Sequence, residues 1–428
     1  MVTRFYHAHQ VVPEKCNAHM KCMRSCPTQA IRIRDHKAVI SEDLCVDCGT
    51  CLSVCPSNAI TTITDPLDAF SHFKYKVVVP TAVLYSQFDA SIHPYIIQLA
   101  LKEIGFNEVS DMNFSTTVLA HVLMKYLNNY QGRLPLISSH CPSLLRLIQV
   151  KYPDLVEQII PLDVPREVTA RELRKQLPQK LGLKPEEIGI FYIAPCPAKV
   201  VSTRQPAEKA KSWFDGVVSI RDVFSLIYPH VLAIKEKFDP AEVPEDFSFT
   251  TGWSRLGNII KYTKMENWMA VSGLSHLMKV LDDIENSRLR NVDFLEAMTC
   301  MLGCISGSFT VENAYVARAN IIKQRMKYET PVEFDPVEVE QNFEKGYYFF
   351  ENPILPRPTK YFDTDLETSI KRMKERDRVY QKLPKIDCGC CGAPTCLAFA
   401  EDFVRGEVEL TDCILLLKKT NYYQGEDI

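Results

Sequence analysis

The sequence predicts an α/β protein with a small cysteine-rich module at each end. Strand-like and helix-like segments alternate from about residue 75 to 325, the pattern of helices layered on parallel sheets. Of the 16 cysteines, seven lie between Cys16 and Cys55, five between Cys388 and Cys413, and four in the long stretch between. The first cysteine cluster is built on an internal repeat of about 29 residues.

At 428 residues the length suits about three domains. The boundaries expected are 1–66 for an N-terminal module, 67–352 for the α/β domain, 353–383 for a linker and charged helix, and 384–428 for a C-terminal module. A charged fraction of 24% with a net charge of −3 gives no electrostatic reason to expect nucleic acid or an anionic membrane as partner. Mean hydropathy is −0.11, and no run of about 18 apolar residues occurs, so no membrane span is expected. The start, Met1-Val-Thr-Arg-Phe-Tyr-His, carries no apolar signal core, and a cytoplasmic location is expected. Cysteines crowded at spacings of two or three hold metal in a reducing compartment better than they staple a secreted scaffold.

In the N-terminal module, Cys45-Val-Asp-Cys48-Gly-Thr-Cys51-Leu-Ser-Val-Cys55-Pro56 is the run that gives three thiolates to one 4Fe–4S cubane and a fourth to its neighbour. Zinc fits less well, because it prefers two separated cysteine pairs. An altered copy precedes it, Cys16-Asn-Ala-His19-Met-Lys-Cys22-Met-Arg-Ser-Cys26-Pro27, with His19 in place of the second cysteine. The exchange rule assigns Cys16, His19, Cys22 and Cys55 to one cluster, and Cys26, Cys45, Cys48 and Cys51 to the other. Imidazole in place of a thiolate raises the cluster potential; the alternative for His19 is a loop histidine beside an open iron site.

In the middle, strands are expected at 76–80, 134–138, 188–194, 216–220 and 268–272. Helices are expected from about 97 to 104 and at 114–127, 166–178, 220–235 and 274–285. Cys141 and Cys196 follow strands, and Cys300 and Cys304 close the apolar segment 292–299. Ligands in open α/β sheets bind beyond the carboxyl ends of strands, so three strand ends can bring four thiolates to one place. Singly, each is also an ordinary buried cysteine.

Three segments, Ser138-Ser-His-Cys141-Pro142, Ala194-Pro-Cys196-Pro-Ala-Lys199 and Glu296-Ala-Met-Thr-Cys300-Met-Leu-Gly-Cys304-Ile-Ser-Gly307, resemble the three signature segments of the FeFe-hydrogenase large subunit. The resemblance covers about 75–325, with supporting echoes at Asp111-Met-Asn-Phe114 and from Asp215 onward. It implies two parallel-sheet lobes around a buried cluster, and an H-cluster in which Cys141, Cys196, Cys300 and Cys304 hold a cubane bridged to a two-iron subsite. It also implies that Lys199 hydrogen-bonds a cyanide ligand there. The residue that shuttles protons in the family is a cysteine; here that position is His140. Ala194 stands where the family has methionine, Ser202 where an acidic relay residue is expected, and Ser306-Gly-Ser where the third segment is richer in glycine. Such erosion of the proton path resembles sensory groups of low turnover.

At the C-terminal end, Pro353-Ile-Leu-Pro-Arg-Pro358 is a stiff linker candidate, and 365–383 a charged helix with a solvated face. Cys388, Cys391, Cys396 and Cys413 resemble, in spacing, the small 4Fe–4S domain of corrinoid iron–sulfur proteins, leaving Cys390 over. The functional expectation is a hydrogenase-like redox protein with four 4Fe–4S sites. His140 and Lys199 are its catalytic candidates, hydrogen and protons its reactants, and a ferredoxin or another oxidoreductase subunit its partner. The alternative is an electron-transfer subunit with cubanes and no two-iron subsite.

Overall fold

The computed structural model describes residues 5–261, 266–357 and 365–416. Pro358 of the expected linker and residues 417–428 of the expected C-terminal module lie outside the described residues. The chain forms two compact units: Ile63–Pro356, and a second that combines the chain up to Thr62 with the chain from Arg357 onward.

In the terminal unit the repeat is visible residue by residue. Ala18 and Asp47, Met20 and Gly49, and Gln29 and Asn58 stand 29 residues apart, and all six have positive φ. Short helices follow at Lys21–Arg24 and Thr50–Val54. The strand His9–Val11 pairs antiparallel with Ile60–Thr62, and Ile31–Arg34 with Lys37–Ile40. The second pair turns at Asp35 and His36, both at positive φ, as a tight two-residue hairpin turn requires. Met23, Ile31, Ala59 and Ile60 bury a small common core.

The C-terminal part of this unit supplies the helices Leu366–Lys382 and Cys396–Val404. Asp365 caps the first by accepting from the Thr368 N–H at 2.8 Å, an N-terminal orphan donor satisfied in the usual way. The sequence reading keeps the two terminal modules separate; in the structure they pack on one another. Ile33 N–H donates to Gly392 O at 2.8 Å. A side chain on Gly392 would place its Cβ 2.1 Å from Ile33 O, so the approach requires glycine. Arg32 Nε and Arg34 Nη2 each donate to Asp402 Oδ2 at 2.6 Å, and Arg32 Nη2 donates to Oδ1 at 3.1 Å.

The Ile63–Pro356 unit contains two parallel sheets, as the α/β reading requires. One has the order Glu108–Val109, Tyr75–Pro80, Ile188–Ala194, Gly216–Ser219. The other has the order Trp268–Ser272, Phe294–Met298, Leu136–Ile137. Residues 77–79 and the whole 188–194 strand are buried, consistent with apolar runs covered on both faces. The strand expected at 134–138 is reduced to Leu136–Ile137; Pro135 has no N–H to give a ladder. Helices fall at Pro94–Glu103, Asn113–Asn129, Pro165–Leu181, Ile220–Lys235 and Leu274–Glu285. Among the described residues, no helix is long and apolar enough to cross a membrane.

Candidate metal centres

In the terminal unit the repeat determines how the sulfurs are supported. Ala30 N–H donates to Cys26 Sγ at 3.2 Å and Ala59 N–H to Cys55 Sγ at 3.3 Å, at equivalent positions of the two copies. Ala38 N–H donates to Cys16 Sγ at 3.4 Å. At Cys55 burial works against the thiolate, but bonds from Ser57, Ala59 and Ile60 lower its pKa. Cys16, Cys22 and Cys55 line one cavity of about 310 Å³, and exposed His19 stands on its wall. Burial pushes the Cys22 thiol up, and Cys55 and Cys16 push it further. Cys51 is raised by burial and by Cys48, Cys26 and Cys22, and Cys48 by burial and by Cys26 and Asp47. Cys55 thus lines the first-copy cavity with Cys16 and Cys22, while Cys26 acts electrostatically on Cys48 and Cys51.

The loop between Cys45 and Cys48 has a support that the motif spacing does not reveal. Asp47 is fully buried and accepts from Ala8 N–H at 3.2 Å. His7 Nδ1 lies 2.8 Å from its Oδ2 and His9 Nδ1 3.1 Å from its Oδ1. Burial pushes the carboxyl up, but bonds from the two histidines hold it well below the usual carboxylate range. His7, Cys45 and Asp47 bring donor atoms within 4.8 Å of one another.

In the C-terminal part, Cys388, Cys391, Cys396 and Cys413 line a cavity of about 380 Å³ together with Cys390. Cys390 is exposed. Burial, then Cys413 and Cys388, raise the Cys391 thiol.

In the Ile63–Pro356 unit, each signature segment leaves the carboxyl end of a parallel strand. Cys141 and Cys196 are the N-caps of the helices Pro142–Lys151 and Pro197–Arg204, each with proline at the first helical position. A helix N-terminus favours negative sulfur, and proline there loses no needed N–H. Cys300 lies just beyond the Phe294–Met298 strand, and Cys304 opens a single 3-10 turn. The second and third segments meet where Phe309 N–H donates to Pro195 O at 3.0 Å. A Cβ on Gly307 would lie 2.3 Å from that oxygen, so this glycine of the third segment is needed for the contact. Cys141 Sγ lies 3.5 Å from Thr299 Oγ1.

Cys141, Cys196 and Cys304 act on one another electrostatically. Burial pushes the Cys196 thiol up to about 12, where Lys199 opposes the shift and Cys304 and Cys141 add to it. No disulfide joins any of these cysteines. Buried sulfurs set this close together become thiolates only when a cationic iron core offsets their charge, so the donor sets suit iron–sulfur clusters in type and burial.

Beside these thiols is a cavity of about 550 Å³ with His140, Lys199 and Arg166 in its wall. Lys199 Nζ donates to Cys304 Sγ at 3.5 Å, and His140 Nε2 lies 3.9 Å from the same sulfur. Burial, then Lys199 and Arg166, lower His140 well below its ordinary pKa. Burial works against a charged Lys199, but Cys304, Tyr192 and Cys196 raise its pKa. Trp253 packs edge-on to His140 at 5.8 Å between centroids. Arg166 was not singled out by sequence; it resembles any charged residue in the first turn of a helix.

Three family models match the chain. "Iron only hydrogenase large subunit, C-terminal domain" matches residues 79–263 and 256–308, an LdpA Fe–S cluster-binding domain matches 12–65, and a putative Fe–S cluster domain matches 383–415. The NADP-reducing hydrogenase subunit HndD of Solidesulfovibrio fructosivorans is 23% identical over 238 residues, 50% of this chain and 40% of that protein. Iron hydrogenase 1 of Clostridium pasteurianum is 22% identical over 256 residues, 49% of this chain and 44% of that protein. The match therefore spans less than half of either relative. Among solved structures, an apo FeFe-hydrogenase variant of Chlamydomonas reinhardtii superposes with a TM-score of 0.48 at 15% identity, covering 68% of this chain and 96% of that one.

Proposed function

Because the chain belongs to the iron-only hydrogenase large-subunit family, whose C-terminal domain model covers more than half of it, we propose that it is a slow FeFe-hydrogenase of the sensory type. Iron–sulfur binding and the oxidoreductase family are properties of that membership; reaction, rate and role are the proposal. The carrying observation is the cavity whose wall holds Lys199 and His140, the two side chains that reach Cys304 Sγ at 3.5 and 3.9 Å. Cys141, Cys196, Cys300 and Cys304 would hold a cubane, and a two-iron subsite in the cavity would supply the metal at which hydrogen is split or formed.

This chain's own residues set the limits of that chemistry. Lys199 is buried and keeps its ammonium toward Cys304, so it can hold an acceptor of the bound group. His140 is the proton-handling candidate, but its Nδ1 is buried without a hydrogen-bond partner among the described residues. A relay needs a second partner within hydrogen-bond reach, directly or through one water. Slow proton exchange follows. Electrons would pass between this centre and three further cubanes, held by Cys16, His19, Cys22 and Cys55, by Cys26, Cys45, Cys48 and Cys51, and by Cys388, Cys391, Cys396 and Cys413. The outlet would be a redox partner, a ferredoxin or another oxidoreductase subunit.

The second reading, cubanes with no two-iron subsite and no hydrogenase activity, is favoured by the same buried, partnerless Nδ1 of His140. Infrared spectroscopy after maturation decides between the two. Bands from iron-bound CO and cyanide are expected, and their absence sinks the hydrogenase reading. In a sample with those bands, His140→Cys is expected to raise hydrogen turnover.

A further inference from the structure

Two buried cations lie in the wall of the cavity near the central thiols. Lys199 is one. Arg166 is the other: it is 4% exposed, it stands in the wall shared by this cavity and a second one that Ser202 and Glu208 line, and only one of its nitrogens has a conventional partner. Its Nη2 donates to Ser202 Oγ at 3.0 Å, and that hydroxyl donates on to Lys199 O at 3.0 Å. Nε and Nη1 are fully buried with no hydrogen-bond partner among the described residues. A buried guanidinium with two idle donors is costly, and the fold tolerates it where a ligand completes the bonding.

The nearby carboxylates do not supply that completion. Glu167 Oε1 is 3.9 Å from Arg166 Nε, but its oxygens already accept from Ser212 Oγ at 2.8 Å and Trp213 N–H at 3.2 Å, with Lys209 at 3.6 Å. Glu208 is buried, which favours its neutral form. Asp111, on the cavity wall, accepts from Asn113 N–H at 2.6 Å and Ser248 Oγ at 2.8 Å.

We infer that this cavity is a small-anion site, in which a compact monoanion with acceptor atoms at its ends is held by the Arg166 guanidinium and the Lys199 ammonium. Arg166 is the new element: a positioning residue for the occupant, at a place where the sequence motifs predict none. The inference deepens the hydrogenase reading, since both concern one cavity, but it does not need the two-iron subsite. The anion is either an iron-bound cyanide of such a subsite or a free monoanion, and the chemistry of recognition is shared. Arginine is suited to the task because its planar fork stays charged when buried.

The test uses the full chain reconstituted with iron and sulfide, so that it carries cubanes and shows no CO or cyanide bands. Thiocyanate is the probe, followed by calorimetry and by its own infrared stretch. One saturable site is expected, weakened about tenfold or more by Arg166→Gln, less by Arg166→Lys, and not at all by Arg290→Gln, which lies on the surface. Iron content and circular dichroism equal to those of the parent exclude a folding defect, and Arg166→Lys keeps the test open if Arg166→Gln fails to fold. Absence of saturable binding, or equal affinity in the parent and Arg166→Gln, overturns the inference. In matured protein that shows CO and cyanide bands, a cyanide band that moves in Arg166→Gln identifies the iron-bound source. Loss of thiocyanate binding on maturation supports the same cavity. If maturation yields no such bands while thiocyanate still binds through Arg166, the hydrogenase reading fails and the anion site stands on a free monoanion. Bands with thiocyanate affinity indifferent to Arg166 give the reverse result.

Discussion

Asp402 joins the two terminal modules through Arg32 and Arg34, and Asp402→Asn tests how far their packing depends on it. The carboxylate is 1% exposed and carries three charge-assisted bonds, from Arg32 at 2.6 and 3.1 Å and from Arg34 at 2.6 Å. Breaking a buried pair by removing one partner costs about 3–5 kcal/mol, because the remaining charge is left uncompensated. Arg34 is 24% exposed on its side chain and can rehydrate, whereas Arg32 at 11% is more confined. The lower end, about 3 kcal/mol, is therefore expected, a shift of roughly a hundredfold toward the separated arrangement. The Ile33 amide is a direct reporter, since it donates across the contact to Gly392 O. Hydrogen exchange of Ile33 in cluster-loaded protein should accelerate about a hundredfold in Asp402→Asn. The triple variant Arg32→Met, Arg34→Met, Asp402→Leu should recover most of the protection, because an apolar replacement of all partners leaves no buried charge. If Ile33 keeps its parental protection in Asp402→Asn, the clamp does not hold the modules together and the reasoning is refuted.

Other variants probe the sites one at a time. Gly307→Ala drives a Cβ to 2.3 Å from Pro195 O; it should push the second and third signature segments apart and lower iron content by about four atoms per chain, with the other clusters unchanged in their resonance spectra. Cys26→Ser should alter the cluster signal that Cys48→Ser alters, and not the one that Cys22→Ser alters; the opposite grouping would break the exchanged assignment. The Glu296 carboxyl is pushed up to about 7 by burial, against N–H donors that include Ile260 and Gly257. A raised acid favours folding while it keeps its proton: the contribution is full below the unfolded value near 4.5 and lost as pH rises through 7. The gap is worth about 3 kcal/mol. Denaturant midpoints of the parent should therefore fall between pH 5 and pH 8 relative to Glu296→Gln, and parallel profiles would count against it.

What was legible in the sequence is what repeats or alternates. The strands Ile188–Ala194 and Trp268–Ser272 and the helices Ile220–Lys235 and Leu274–Glu285 have the bounds the residue pattern predicts; in Ile188–Ala194 and the two helices the apolar positions coincide with burial, whereas no residue of Trp268–Ser272 is fully buried. The 29-residue repeat was legible as well, and the structure extends it to the backbone, where Met20 takes the left-handed conformation that Gly49 takes without strain. What the sequence hid is charge placed inside. Arg32 and Asp402 are 370 residues apart, and no local period links them. Arg166 and Glu167 in the first turn of the Pro165–Leu181 helix, and Arg171 in the second, are charged residues with no sequence signal of burial, yet all three are buried. Buried charge is rarely kept unless it is paired or put to use. Glu167 is satisfied by Ser212, Trp213 and Lys209; Arg171 stacks on Tyr347 at 3.8 Å and, like Arg166, keeps two nitrogens without a hydrogen-bond partner among the described residues, but only Arg166 of the two lies in the wall of the cavity. The eroded motif at His140 and the idle guanidinium at Arg166 border the same space. The wall of this cavity thus carries a buried guanidinium as well as a buried imidazole, and the occupant inferred for it is one that charge would select.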